Sequence, residues 1–238
     1  MGNSHSLDQR LDRAKKTGIL TLTNASLKEI SDELLSISTL KNLDLSCNRI
    51  SEIPIRFETL ELLKFLSLAH NRLSVFPTVF ASLTKLETLN LSYNQLTGIH
   101  VDLSPLVSLK SLNLAHNQLA SLPKFASLPK LVSLDISYNR LCQLEGTLEE
   151  LSQLEEVNLE HNQVEEVPAS FVSMKSLKTL RLSFNRIAAF PSELLIDTGL
   201  TAIELEGNPF NDLDLVKVEG FDQYQARKKA RIDQFIKT

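Results

Sequence analysis

Tryptophan is absent from this 238-residue chain, and cysteine and methionine occur twice each, glycine only seven times. No run approaches the roughly 18 continuous apolar residues that a membrane-spanning helix needs, so none is expected. The N-terminus lacks the apolar centre of a signal peptide, so secretion is not expected. Neither sign of charge dominates: 25 Lys and Arg stand against 29 Asp and Glu. That balance gives no general reason to expect nucleic acid as a partner. Cys47 and Cys142 fall four repeats apart, about 19 Å at ~4.8 Å per stacked strand, whereas a disulfide needs Cα atoms within about 7 Å. Both are expected to be free thiols, as suits a reducing compartment. No Ser-His-Asp arrangement, P-loop or dinucleotide fingerprint occurs, so no catalytic residue, cofactor or small-molecule substrate is expected.

What fills the chain instead is repetition. Leu40, Leu43, Leu45, Asn48 and Ile50 spell L-x-x-L-x-L-x-x-N-x-L, and the pattern restarts at Leu63, Leu86, Leu109, Leu131, Leu154, Leu177 and Leu200. The steps are 23, 23, 23, 22, 23, 23 and 23 residues. A fixed period in this range predicts a solenoid whose units cannot bury their apolar faces alone. Thr17, Leu20, Leu22, Ala25 and Leu27 fit one step earlier, with alanine in place of asparagine, giving about nine coils. Within each coil the Leu-x-Leu alternation predicts a half-buried strand. Successive strands would pair in parallel as a concave sheet. The column Asn48, Asn71, Asn94, Asn117, Asn139, Asn162, Asn185 and Asn208 predicts a structural ladder in which each amide meets backbone groups where the chain turns inward.

The return half of each coil carries an apolar-Pro step at Pro54, Pro77, Pro123, Pro168 and Pro191, which predicts extended turns followed by short helices or 3₁₀ turns on the convex side. Two coils have His100 and Glu145 in the proline position, with Gly98 and Gly146 nearby. The expected division is 1–16 as acylation signal and capping helix, 17–210 as solenoid, and 211–238 as a C-terminal cap helix. Ser6, Leu7, Leu11, Ala14 and Gly18 mark the first helix. The spacing from Phe221 onward marks the last, with Arg227, Lys228, Lys229 and Arg231 expected on its outer face.

The strand positions between the leucines are expected to point outward and to hold any binding site. Candidate partner-binding residues there are Asn42, Asp44, Phe65, His70, Tyr93, His116, Tyr138, Glu156, Glu160, His161, Arg181, Phe184, Glu204 and Glu206. His70, Tyr93, His116, Tyr138, His161 and Phe184 form one column, one ring per coil. Such a column either anchors a protein partner or stacks on itself to stabilise the sheet. Its histidines recur every second coil, roughly 9.6 Å apart. With bonds near 2 Å, one metal ion could not gather them. The acidic C-terminal coils suggest docking of a basic partner segment. Met1-Gly2-Asn3-Ser4-His5-Ser6 satisfies the M-G-x-x-x-[ST] acylation pattern, making Gly2 the candidate lipidation residue. A single myristoyl chain would hold the protein to a membrane only reversibly.

This repeat resembles the cytosolic leucine-rich repeat proteins of the Ras-suppressor-like type, whose coils have about this length and an apolar-Pro step. Lys16-Thr17-Gly18, Glu206-Gly207-Asn208-Pro209-Phe210 and Glu219-Gly220-Phe221-Asp222-Gln223-Tyr224 carry the resemblance into both ends. It implies a small, intracellular protein, lipid-anchored at Gly2, and supplies no catalytic residues. The repeat itself predicts an α/β solenoid, the leucine-rich repeat horseshoe, and the expected protein is a cytoplasmic monomer that presents its strand face to a protein partner. The alternative is a regulatory subunit of a signalling enzyme such as a phosphatase or small GTPase, by analogy of fold.

Overall fold

The computed structural model describes residues 7–123, 125, 128–144, 146 and 148–236. Gly2, the expected acylation residue, and Ser6, the expected helix cap, lie outside them, as does Glu145. Among the described residues, nine strands form one parallel sheet in sequence order: β1 (Ile19–Thr21), β2 (Asn42–Asp44), β3 (Phe65–Ser67), β4 (Thr88–Asn90), β5 (Ser111–Asn113), β6 (Ser133–Asp135), β7 (Glu156–Asn158), β8 (Thr179–Arg181) and β9 (Ala202–Glu204). Register follows the repeat without a slip. Leu20, Leu43, Leu66, Leu89, Leu112, Leu134, Val157, Leu180 and Ile203 align from strand to strand. The 22-residue coil therefore loses its residue in the loop and not in the sheet.

Each coil is closed by the same leucines that define it. Leu40, Leu43, Leu45 and Ile50 are fully buried, as are Leu63, Leu66 and Leu68 one coil later. Burying one such side chain is worth about 2 kcal/mol relative to leaving it exposed. That gain exists only between coils, because a single coil has no interior. The convex side adds aromatic wedges. Phe57 and Phe80 meet edge-on at 5.8 Å between centroids, and Phe76 meets Phe80 at the same distance.

The prolines set where the convex turns begin. Pro54, Pro77 and Pro168 hold φ between −63° and −68° with extended ψ, and a 3₁₀ turn follows each: Ile55–Thr59, Thr78–Ser82 and Ala169–Ser173. Pro191 precedes a short α-helix, α3 (Ser192–Asp197). The first coil uses α2 (Asp32–Leu35), capped by the Ser31 hydroxyl on the Leu34 N–H.

Both ends carry helices. α1 (Leu7–Thr17) buries Leu11 and Ala14, and Gly18 ends it at φ +71° with its N–H on the Ala14 carbonyl. After the last strand come α4 (Asp212–Leu215) and α5 (Phe221–Ile236). α5 corrects one expectation. Arg227 and Arg231 point inward: the Arg227 guanidinium donates to the Leu195 and Leu200 carbonyls, and Arg231 to the Thr201 hydroxyl. Ile232 and Ile236 are instead exposed. The Leu195 and Leu200 carbonyls and the Thr201 hydroxyl take these donors, which arginine carries at the end of a long stem and isoleucine lacks. Among the described residues, no helix is long and apolar enough to cross a membrane.

Candidate functional site: the concave strip and its turn column

The concave strip begins with a local turn device. The Oδ1 atoms of Asp44, Asn90, Asn113, Asp135 and Asn158 accept from the N–H two residues on, at 2.9–3.1 Å. Asp44 and Asp135 also accept from the Ser46 and Ser137 hydroxyls at 2.6 and 2.7 Å. These are Asx turns, which bend the backbone just after each strand. Asp44 is therefore part of the turn as well as of the surface.

The bend leads into a left-handed residue in every coil. Asn24, Cys47, His70, Tyr93, His116, Tyr138, His161 and Phe184 have φ between 52° and 58°, and Gly207 has 72°. Bulky side chains rarely adopt this conformation. Here it turns each ring along the solenoid axis. The result is a continuous stack from His70 to Phe184, with centroids 3.9–4.3 Å apart and planes within 18°. The ring faces are thus spent on each other, and solvent meets ring edges with their Nδ/Nε and O–H groups. Burial holds the His116 imidazole below its usual range; Asp135 opposes that, while His70 and His161 add to it.

Behind the rings runs the asparagine ladder. Asn71 shows the pattern: Nδ2 donates to Leu68, Ala69 and, one coil back, Leu45, while Oδ1 accepts from the Ile50 N–H. Asn94, Asn117, Asn139, Asn162 and Asn185 repeat it. Asn48 accepts instead from both Ala25 and Leu27 of the first coil. Asn208 makes the cross-coil bonds at the other end but is only half-buried. Each side chain binds two coils through backbone groups.

The remaining outward residues do not gather into one pocket. Asn42 is exposed beside half-buried Phe65. Seven strand spacings, roughly 34 Å at the usual ~4.8 Å, separate β2 from β9. At the far end Arg181 Nε donates to Glu204 Oε1 at 3.2 Å. Burial, then the charge of Glu204, pushes the Glu160 carboxyl up, with Arg181 opposing. Glu156 and Glu206 are exposed nearby in the same coils. The position after the second strand leucine is mixed: Ala69, Ser92, Ala115, Ser137 and Ser183 are buried under the turn, whereas Glu160 is half-buried and Glu206 exposed. The run of Ser and Ala marks the buried members of that column. The Asx turns correspond to Asp or Asn two places before Ser46, Ser92, Ala115, Ser137 and Glu160. Among the described residues no group of three metal-ligating side chains assembles.

A single-layer parallel sheet, one strand per 22–23-residue coil, with an asparagine ladder at its turn, defines a solenoid of leucine-rich coils. The family model for leucine rich repeats matches residues 17–73 and 74–119, and that for two-copy leucine rich repeats matches 107–151. Together they span more than half of the chain, which belongs to the leucine-rich repeat family. No curated protein matches it. Among solved structures it is similar to a leucine-rich repeat protein of Leptospira interrogans, at 29% identity and a TM-score of 0.73 over 86% of this chain, and it spans 58% of that protein. It is also similar in fold to two internalins of Listeria monocytogenes. Internalin C2 is 23% identical with a TM-score of 0.72, covering 84% of this chain and 92% of that one. Internalin F is 20% identical with a TM-score of 0.61, covering 87% and 67%.

Proposed function

We propose that this chain is a non-enzymatic interaction module whose concave strip takes a basic segment of a protein partner. The observation that carries this is the excess negative charge of the last coils: Glu156, Glu160, Glu204 and Glu206 outnumber Arg181, which pairs with Glu204, and Arg231, which reaches Thr179 and Thr201, on a face whose backbone is fixed coil by coil. A rigid, pre-organised surface loses little freedom on binding. Charge of one sign steers and orients a partner of the other. The partner is identified by unbiased proximity labelling in cells. The triple variant Glu156→Lys, Glu160→Lys, Glu204→Lys is then expected to lose capture of that partner without a lower melting temperature; unchanged capture refutes the siting.

The second part of the proposal is N-myristoylation of Gly2, with reversible attachment of a cytoplasmic protein to membranes. Its support is the M-G-x-x-x-[ST] start, together with the resemblance of both chain ends to leucine-rich repeat-containing protein 57. Intact mass of protein co-expressed with the acyltransferase tests it: the myristoyl increment is expected on the wild type and not on Gly2→Ala. A wild type without the increment ends this part of the proposal.

A further inference from the structure

The two edges of the sheet are finished differently. At β9 the Ile203 N–H, which faces away from β8, donates to the Tyr224 hydroxyl at 3.3 Å, while Arg227 of α5 donates to the Leu195 and Leu200 carbonyls and Arg231 to the Thr201 hydroxyl. α5 thus closes that edge. At β1 the pairing runs through Gly18 and Leu22: the Gly18 carbonyl accepts from Lys41 and Asn42, and the Leu22 N–H donates to Asp44. In a parallel ladder alternate residues bond to the same neighbour. Ile19 and Thr21 therefore turn their backbone groups to the open side. The Ile19 N–H is met by the hydroxyl of Thr17 at 3.2 Å. The Thr21 N–H and C=O have no partner among the described residues, and Thr21 is exposed.

Beside this open edge lies a cavity of about 320 Å³ between α1 and β1, lined by Arg10, Arg13, Thr17, Ile19, Leu20 and Thr21. Arg10, Arg13 and Thr17 fall at i, i+3 and i+7, which places them on one face of α1. Among the described residues neither guanidinium makes an ion pair or hydrogen bond. Asp8 and Asp12 sit about half a turn away around the helix, and Asp12 is held by Lys15 at 2.8 Å. The Ile19 side chain is 54% exposed. Unpaired strand edge, free cations and one apolar side chain thus meet in one groove.

We propose that the β1 edge docks an acidic, extended segment of a partner protein, which adds a tenth strand to the sheet. Strand addition uses main-chain hydrogen bonds for affinity and side-chain contacts for choice of sequence. Here Thr21 supplies the main-chain donor and acceptor. Arg10 and Arg13, one helical turn apart, take carboxylates from alternate residues of the segment, with the forked geometry that suits them. Because β1 is only three residues long, the arginines fix the register. The site is independent of the concave strip, and the two can fail separately.

The test uses the full-length protein and two labelled octapeptides, one of alternating Glu and Thr, the other of alternating Lys and Thr, followed by fluorescence anisotropy and amide NMR shifts. The acidic peptide is expected to bind and to shift Ile19–Thr21, and the basic one to do neither at this edge. Arg10→Glu with Arg13→Glu is expected to weaken binding by about a hundredfold, since two charge-assisted contacts of about 1.4 kcal/mol each are removed and each 1.4 kcal/mol is tenfold. These arginines lie outside the core, so folding is retained. Thr21→Pro is expected to weaken binding several-fold, and proline is tolerated on an edge strand where the N–H faces away from the sheet. The triple glutamate variant is expected to bind the peptide as the wild type does. No binding, or equal shifts with the basic peptide, overturns the proposal. Unchanged affinity in Thr21→Pro overturns strand addition. A concentration-dependent dimer in sedimentation, abolished by Thr21→Pro, assigns the edge to a second copy and overturns it too.

Discussion

Asparagine 117 does in one side chain what a strand does with its backbone: it joins two coils. Its amide donates to Leu91, Leu114 and Ala115, and its oxygen accepts from Leu96. Removing a partner from a buried group costs roughly 1–3 kcal/mol, so Asn117→Ala is expected to destabilise by about 3 kcal/mol in urea unfolding followed by circular dichroism. Titration of His116 provides a second check at this scale. Its folded pKa lies below the ordinary 6.5, chiefly through burial. Its contribution to stability is therefore fully present above 6.5 and is lost as pH falls through the folded value. NMR of the imidazole is expected to show a midpoint under 6.5, rising when His70→Gln and His161→Gln remove the two imidazoles that add to its depression. The ladder was legible in the sequence because asparagine recurs at a fixed place. The left-handed turn before it was not, because cysteine, histidine, tyrosine and phenylalanine share no turn preference. The fold imposes that conformation on them.

Elements were legible in proportion to their periodicity. The strands emerged from the Leu-x-Leu alternation, and the 3₁₀ turns from proline. α5 was legible as a helix, yet its orientation was not. A helical wheel assigns arginine to water and isoleucine to the core, whereas the Leu195 and Leu200 carbonyls and the Thr201 hydroxyl take hydrogen-bond donors. Tyr224 is the measurable case. Tyr224→Phe keeps the ring, which is 2% exposed, and removes the acceptor of the Ile203 N–H. The expected result is a loss of about 1–2 kcal/mol and faster hydrogen exchange at Ile203 than at Leu180. Gly207 is the second case. It sits at φ +72°, and an added Cβ would lie 2.6 Å from the Phe184 ring. Gly207→Ala combines left-handed strain with that clash, and is expected to cost about 1–2 kcal/mol and to displace Phe184 from the end of the stack.

Taken whole, the molecule is one-dimensional: each coil touches the next and little else. Ion pairs along its flank follow the same rule, Glu87 bridging Lys64 and Lys110 at 2.8 and 2.7 Å. Those contacts hold the Glu87 carboxyl at about 2, so its contribution is present above 4.5 and is lost as pH falls toward 2. Glu87→Gln is expected to remove that part of the acid dependence, read as a smaller difference in melting temperature between pH 5 and pH 2.5. Architecture was legible throughout because the repeat states it nine times. The candidate surfaces were less so, because an outward position carries no packing constraint and only its neighbours reveal whether its charge is balanced.

The ring stack has one more consequence, and it is optical. Parallel strands stand about 4.8 Å apart, whereas the rings stand 3.9–4.3 Å apart. The stack therefore runs along the inner, shorter arc of the curve, and flattening the solenoid would pull the rings apart. With no tryptophan present, ultraviolet emission comes from three tyrosines, and Tyr93 and Tyr138 are each sandwiched between imidazoles. The protein carries its own curvature gauge, readable without a label.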